Sequence, residues 1–77
     1  MTEMNLTPKL GADIYQVIAG GNKVEVVIMM ELKGGLVLVE ALKGNPFEQT
    51  SYFGSSCMVC QAVYHKQTLK YLRKWLG

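Results

Sequence analysis

Residues 57–76, CMVCQAVYHKQTLKYLRKWL, decide the architecture of this chain. They follow Gly54-Ser55-Ser56, and a serine before an apolar run is a favourable helix start, because its hydroxyl accepts a backbone N–H that the first turn leaves unpaired. The spacing predicts a helix from about Cys57 to Leu76, ended by Gly77. Its first two turns (Cys57, Met58, Val59, Cys60, Ala62, Val63) are apolar nearly all round, which calls for burial on more than one side. From His65 onward, Leu69, Leu72, Trp75 and Leu76 share one stripe, and Lys66, Lys70, Arg73 and Lys74 take the opposite side.

Upstream, the pattern switches to period two. Residues 12–19 (ADIYQVIA) read as a strand, and Gly20-Gly21-Asn22 as a tight hairpin turn, since these residue types tolerate positive φ. Residues 23–33 (KVEVVIMMELK) alternate, with Val24, Val26, Ile28, Met30 and Leu32 on one face. Gly34-Gly35 makes a second turn. Residues 36–43 (LVLVEALK) form a third strand with both faces apolar, Val37, Val39 and Ala41 on one and Leu36, Leu38 and Leu42 beside Glu40 on the other. Residues 47–53 (FEQTSYF) read as a short fourth strand, demoted to an edge by Pro46.

The expected fold is therefore α+β. Residues 1–77 form one domain: a lead-in at 1–11, an antiparallel three- to four-stranded meander over 12–53, and one long helix at 55–76 packed on one sheet face. One helix covers one face only. Val27, Met29, Val37 and Val39 are then left as an apolar spot on the other. Either a strand is shifted, bulged or covered by residues 1–11, or that face is an interface for self-association, as in a homodimer.

Composition narrows the class. The apolar fraction is 49% and the charged fraction 18%, which is a packed protein rather than a disordered one. A chain this short buries only roughly 60–65% of the surface its unfolded form exposes. Five methionines add adaptable apolar surface. The N-terminus carries an acid where a secretory leader carries basic residues, and no apolar run is long enough to span a membrane. Cys57 and Cys60 lie too close together to staple a large loop. A reducing, cytoplasmic setting is the expectation.

Chemical motifs are few. Cys57-Met58-Val59-Cys60 has the spacing of a redox pair, but the βαβ scaffold such enzymes use is missing, and the expectation is two buried structural thiols. Zinc needs more ligands than Cys57, Cys60 and His65 supply in one copy. His65 has no carboxylate near it in sequence to make an acid–base pair. Phosphate-loop and nucleophile-elbow motifs are missing. The expectation is a non-enzymatic protein without cofactor or metal.

Charge gives the sharpest functional hint. The last 29 residues hold four cations and no acid, while all six acids lie earlier. Lys66, Lys70, Arg73 and Lys74 are thus expected to form a basic helix face for an acidic protein surface or a protein–nucleic-acid complex. The alternative is direct nucleic-acid binding by the same face, with Tyr71 and Trp75 flanking it. The strand–strand–strand–helix order is similar to that of double-stranded-RNA-binding domains. Their opening helix is missing here, however, and residues 57–65 hold no Lys or Arg, so no membership follows. Small motif-poor domains of this kind are common among regulatory inhibitors, including those of bacteriophages, and that class analogy completes the expectation.

Overall fold

The computed structural model describes residues 4–77 and is built from strands. In chain order they are β1 (Asp13–Ala19), β2 (Asn22–Glu31), β3 (Leu36–Ala41), β4 (Phe47–Thr50), β5 (Ser56–Val59), β6 (Gln61–His65) and β7 (Lys70–Lys74). Short 3-10 turns at Lys33–Gly35 and Lys66–Thr68 are the helical elements among the described residues. Five strands form one antiparallel sheet in the order β6-β3-β2-β1-β7, and β4 pairs with β5 in a separate two-stranded ribbon.

The α+β expectation is overturned, and the long basic helix at 55–76 does not exist. Residues 56–74 form three strands and a turn. The reason lies in what β3 needs. Its two apolar faces and its free edge require a further strand. Residues 61–65 supply it, in register from Leu36↔His65 to Glu40↔Gln61. Ala62 and Tyr64 pack on the core and Gln61, Val63 and His65 face out, which is period two. The apparent helical stripe is split in the same way. Leu69 packs on one core cluster, Leu72 and Trp75 on another, and Leu76 is exposed. Tertiary pairing outweighs the helix propensity of KQTLKYLRKWL.

The sheet coils on itself. A flat five-stranded sheet would hold its edge strands about 19 Å apart at the usual strand spacing. Here the edge strands β6 and β7 are joined by the Lys66–Thr68 turn and Leu69 alone. The turn is closed by the Leu69 N–H donating to the Lys66 carbonyl (3.1 Å) and the Thr68 hydroxyl donating to the His65 carbonyl (2.7 Å). Curvature enters at two bulges. Met29 is the extra residue of β2 against β3, and Leu72 the extra residue of β7 against β1. The β1–β2 connection keeps the predicted hairpin, with Gly20 and Gly21 at φ 58° and 81°, the pair of positive values that a two-residue turn of this hand requires.

The concave side holds the main core: Val17, Val26, Val37, Val39, Ala41 and Phe47, flanked by Tyr15, Ile28, Tyr64 and Leu69. The convex side of β1 and β2 holds a second cluster of Ile14, Val27 and Leu42. Met4 and Leu6 of the lead-in pack against it, together with Leu72 and Trp75. The lead-in is held by the Asn5 N–H on the Leu42 carbonyl (2.7 Å) and by the Asn5 amide on the Ala41 carbonyl (3.2 Å). Residues 1–3 of that segment lie outside the described residues.

The expected self-association patch is corrected by this arrangement. Val37 and Val39 line the concave core, whereas Val27 pairs with Glu40 and faces the opposite way into the second cluster. All three are buried within the single chain, and Met29 is exposed because it sits at the bulge. These residues therefore do not share an exposed face.

Candidate functional site

Lys66 lies on the second 3-10 turn, and Lys70, Arg73 and Lys74 lie on edge strand β7. They are not a one-signed face. Arg73 donates from Nη1 and Nη2 to the two carboxylate oxygens of Glu25 at 3.1 and 2.9 Å. The Lys74 ammonium lies 2.9 Å from an oxygen of Asp13, its register partner on β1. The Lys66 ammonium lies 3.3 Å from Glu31. Lys70 makes no ion pair among the described residues.

Folding thus brings β1 and β2 carboxylates onto the cations that looked unopposed in sequence. Arg73 beside it holds the Glu25 carboxyl below the usual carboxylate range, chiefly through the hydrogen bond, and the Lys43 charge adds to this. The Asp13 carboxylate raises Lys74 in turn, again mainly by hydrogen bonding. All three pairs are substantially exposed, where such contacts are individually weak.

The feature that sequence reading passed over is the β4–β5 ribbon. Phe47 anchors its base in the core, its ring 5.9 Å from that of Tyr64, and Val59 packs beside it. Beyond these two, from Glu48 to Met58, the ribbon is exposed on both strands. It is an arm standing off the coiled sheet. Its tip is held in shape by hydrogen bonds. The Ser51 N–H donates to the Ser55 carbonyl (2.6 Å), the Gly54 N–H to the Ser51 carbonyl (3.0 Å), and the two serine hydroxyls are 2.7 Å apart. Ser55 thus closes a hairpin loop instead of capping a helix.

Tyr52 and Phe53 ride on that loop, 97% and 91% exposed, with their rings edge-to-face at 5.5 Å. One signal for this was present in the sequence: adjacent aromatics flanked by Ser and Gly, in a stretch with no hydrophobic partner at strand spacing. Glu48 is the only Asp, Glu, Lys or Arg between Lys43 and His65, so the arm is almost uncharged.

The thiols also differ from expectation. Cys57 is exposed on β5 and Cys60 is partly buried where β5 passes into β6, and neither is in a disulfide. Among the described residues, no group of three or more His, Cys, Asp or Glu side chains is placed to hold a metal ion. No described helix is long and apolar enough to cross a membrane.

No protein family, curated protein or solved structure matches this chain. The functional reading therefore rests on the chemistry of its own surface.

Proposed function

We propose that this chain is a small binding module that acts by docking the aromatic tip of its β4–β5 arm into an apolar pocket of a partner protein, and so modulates that partner. The observation that carries the reading is Tyr52 and Phe53, almost fully exposed on a hydrogen-bonded loop at the end of an arm. Large aromatic side chains held in water are costly, and at interfaces they are the residue types that contribute most on burial. The near-neutral arm selects the partner. A phosphate backbone or an anionic lipid surface is gripped by Lys and Arg, and the arm has neither. Apolar protein surface needs no such charge.

Lys66, Lys70, Arg73 and Lys74 take a lesser part. With three of them matched by carboxylates of the same chain, the surface loses most of the field that would steer an acidic partner.

A photo-crosslinking amino acid at Gln49, within the arm, tests this in the cells that make the protein. The expected result is an adduct with one protein species, absent when the probe sits at Asn22 in the β1–β2 turn. The captured protein, once purified, should bind the parent chain, and the double change Tyr52→Ser/Phe53→Ser should weaken that binding at least about tenfold. Adducts to lipid or nucleic acid, or unchanged affinity of the double variant, would overturn the reading.

A further inference from the structure

A cleft of about 500 Å³ lies between the start of β2, the β3–β4 connection and the end of β7, away from the arm tip. Lys23, Lys43 and Arg73 line it, with Glu25 as the one carboxylate among the described residues, and Leu42 and Trp75 give it apolar wall. Its size is within the usual range for small-molecule sites, about 300–1,000 Å³.

Three features make this more than a dent in a charged surface. First, among the described residues the cations outnumber the carboxylate three to one, and both oxygens of that carboxylate are already taken by Arg73. Glu25 therefore acts as a brace. It fixes the guanidinium plane while further N–H donors of Arg73 stay free, since a guanidinium carries five and two are used here. Second, no carboxylate among the described residues lies within ion-pair distance of Lys23 or Lys43. Third, the Trp75 side chain is held, not loose. It packs on the Ile14, Val27 and Leu42 cluster, and its backbone is tied to Ala12 by an N–H donating to the Ala12 carbonyl (2.7 Å).

We infer that this cleft binds a nucleoside monophosphate unit, with the phosphate on Lys23, Lys43 and Arg73 and the base against Trp75. A phosphate monoester near neutral pH carries close to two negative charges, which matches the surplus of cations, and its oxygens suit an immobilised guanidinium. A flat base suits an indole that is already positioned, because little side-chain freedom is lost on stacking. The unit can come from a free nucleotide or from the phosphorylated 5′ end of a strand. The inference uses none of the arm residues and stands or falls apart from the docking proposal.

Trp75 is the only tryptophan of the chain, so its fluorescence reports on the cleft alone. The full chain is titrated at low salt with adenosine monophosphate, adenosine, inorganic phosphate, and a short RNA with or without a 5′ phosphate. Saturable quenching by adenosine monophosphate is expected, at least about tenfold tighter than by adenosine or phosphate alone. The double change Lys23→Gln/Lys43→Gln should raise the half-saturation concentration at least about tenfold while the far-ultraviolet circular dichroism stays that of the parent. Tighter binding of the 5′-phosphorylated RNA than of the mononucleotide assigns the site to strand ends, and the reverse order assigns it to free nucleotides. No saturable change up to about 10 mM adenosine monophosphate, or equal quenching of parent and double variant, overturns the inference.

Discussion

Arg73 and Glu25 clasp one another over β1: the guanidinium of β7 reaches both carboxylate oxygens of β2, at 3.1 and 2.9 Å, from 48 positions further along the chain. The clasp ties the C-terminal edge strand to the centre of the sheet and borders the buried Ile14 below it. It also carries a pH signature.

The Glu25 carboxyl is held below its usual range in the folded protein, first by the Arg73 hydrogen bond. A lowered folded pKa means stability that is present above the unfolded carboxyl value, near about 4.3, and lost as pH falls through the folded value. Arg73→Gln should therefore be slightly less stable than the parent at pH 7, with the difference shrinking on acidification below about pH 4. Urea midpoints of both proteins across that range check it, and a gap that is the same at every pH would contradict the assignment.

Phe47 joins the arm to the core, buried in the concave cluster against Tyr64. Removing the ring leaves a cavity among β-branched residues with little freedom to collapse. Phe47→Ala should cost about 3–5 kcal/mol. A domain of this size has only roughly 4–12 kcal/mol to lose, so the variant should be largely unfolded or close to it. Equilibrium denaturation reads this directly, and a loss below about 1 kcal/mol would mean that Phe47 is not a core anchor.

The two thiols should part company. Cys57 is exposed on the arm and Cys60 is partly covered. Cys57→Ser should change stability by no more than about 0.5 kcal/mol. In the folded protein a maleimide should modify Cys57 well before Cys60, read by mass spectrometry of the labelled peptides. Equal rates would show that the arm base opens readily.

Much of the sheet was legible in the sequence, and the reasons show why the rest was not. β1, β2 and β3 announce themselves because each is a short β-branched or apolar run bounded by glycines, with clear alternation in β2, and the Gly20-Gly21 turn has a backbone need that few other residues meet. Residues 57–76 misled because their apolar positions fit two periods at once. Leu69, Leu72, Trp75 and Leu76 make a helical stripe on paper, yet only the open edge of β3 and the curvature set by Met29 and Leu72 decide between helix and strand. Both are long-range facts. The cations fared similarly. Glu25, Glu31 and Asp13 are brought to Arg73, Lys66 and Lys74 by the fold, and local charge counts carry no record of that. The arm is half visible: FEQTSYF reads as one edge strand, yet the strand ends at Thr50, and its partner SCMV is absorbed into the misassigned helix, so Tyr52 and Phe53 look like strand residues instead of a tip.

If the arm is an appendage, its tip should be dispensable for folding. Everything between Glu48 and Met58 is exposed, and the ribbon is held to the body through Phe47 and Val59 at its base. Replacing Ser51–Ser55 by the two residues Asn-Gly keeps a hairpin turn of the favoured kind and deletes both aromatics. Because no core contact is removed, the urea midpoint should stay within the range of ordinary surface changes, about 0.5 kcal/mol in stability. The partner contact made by the arm should vanish in the same protein. A shortened chain that no longer folds would place Tyr52 and Phe53 in the folding core instead. One that folds and still binds its partner with parental affinity would move the docking surface elsewhere on the sheet.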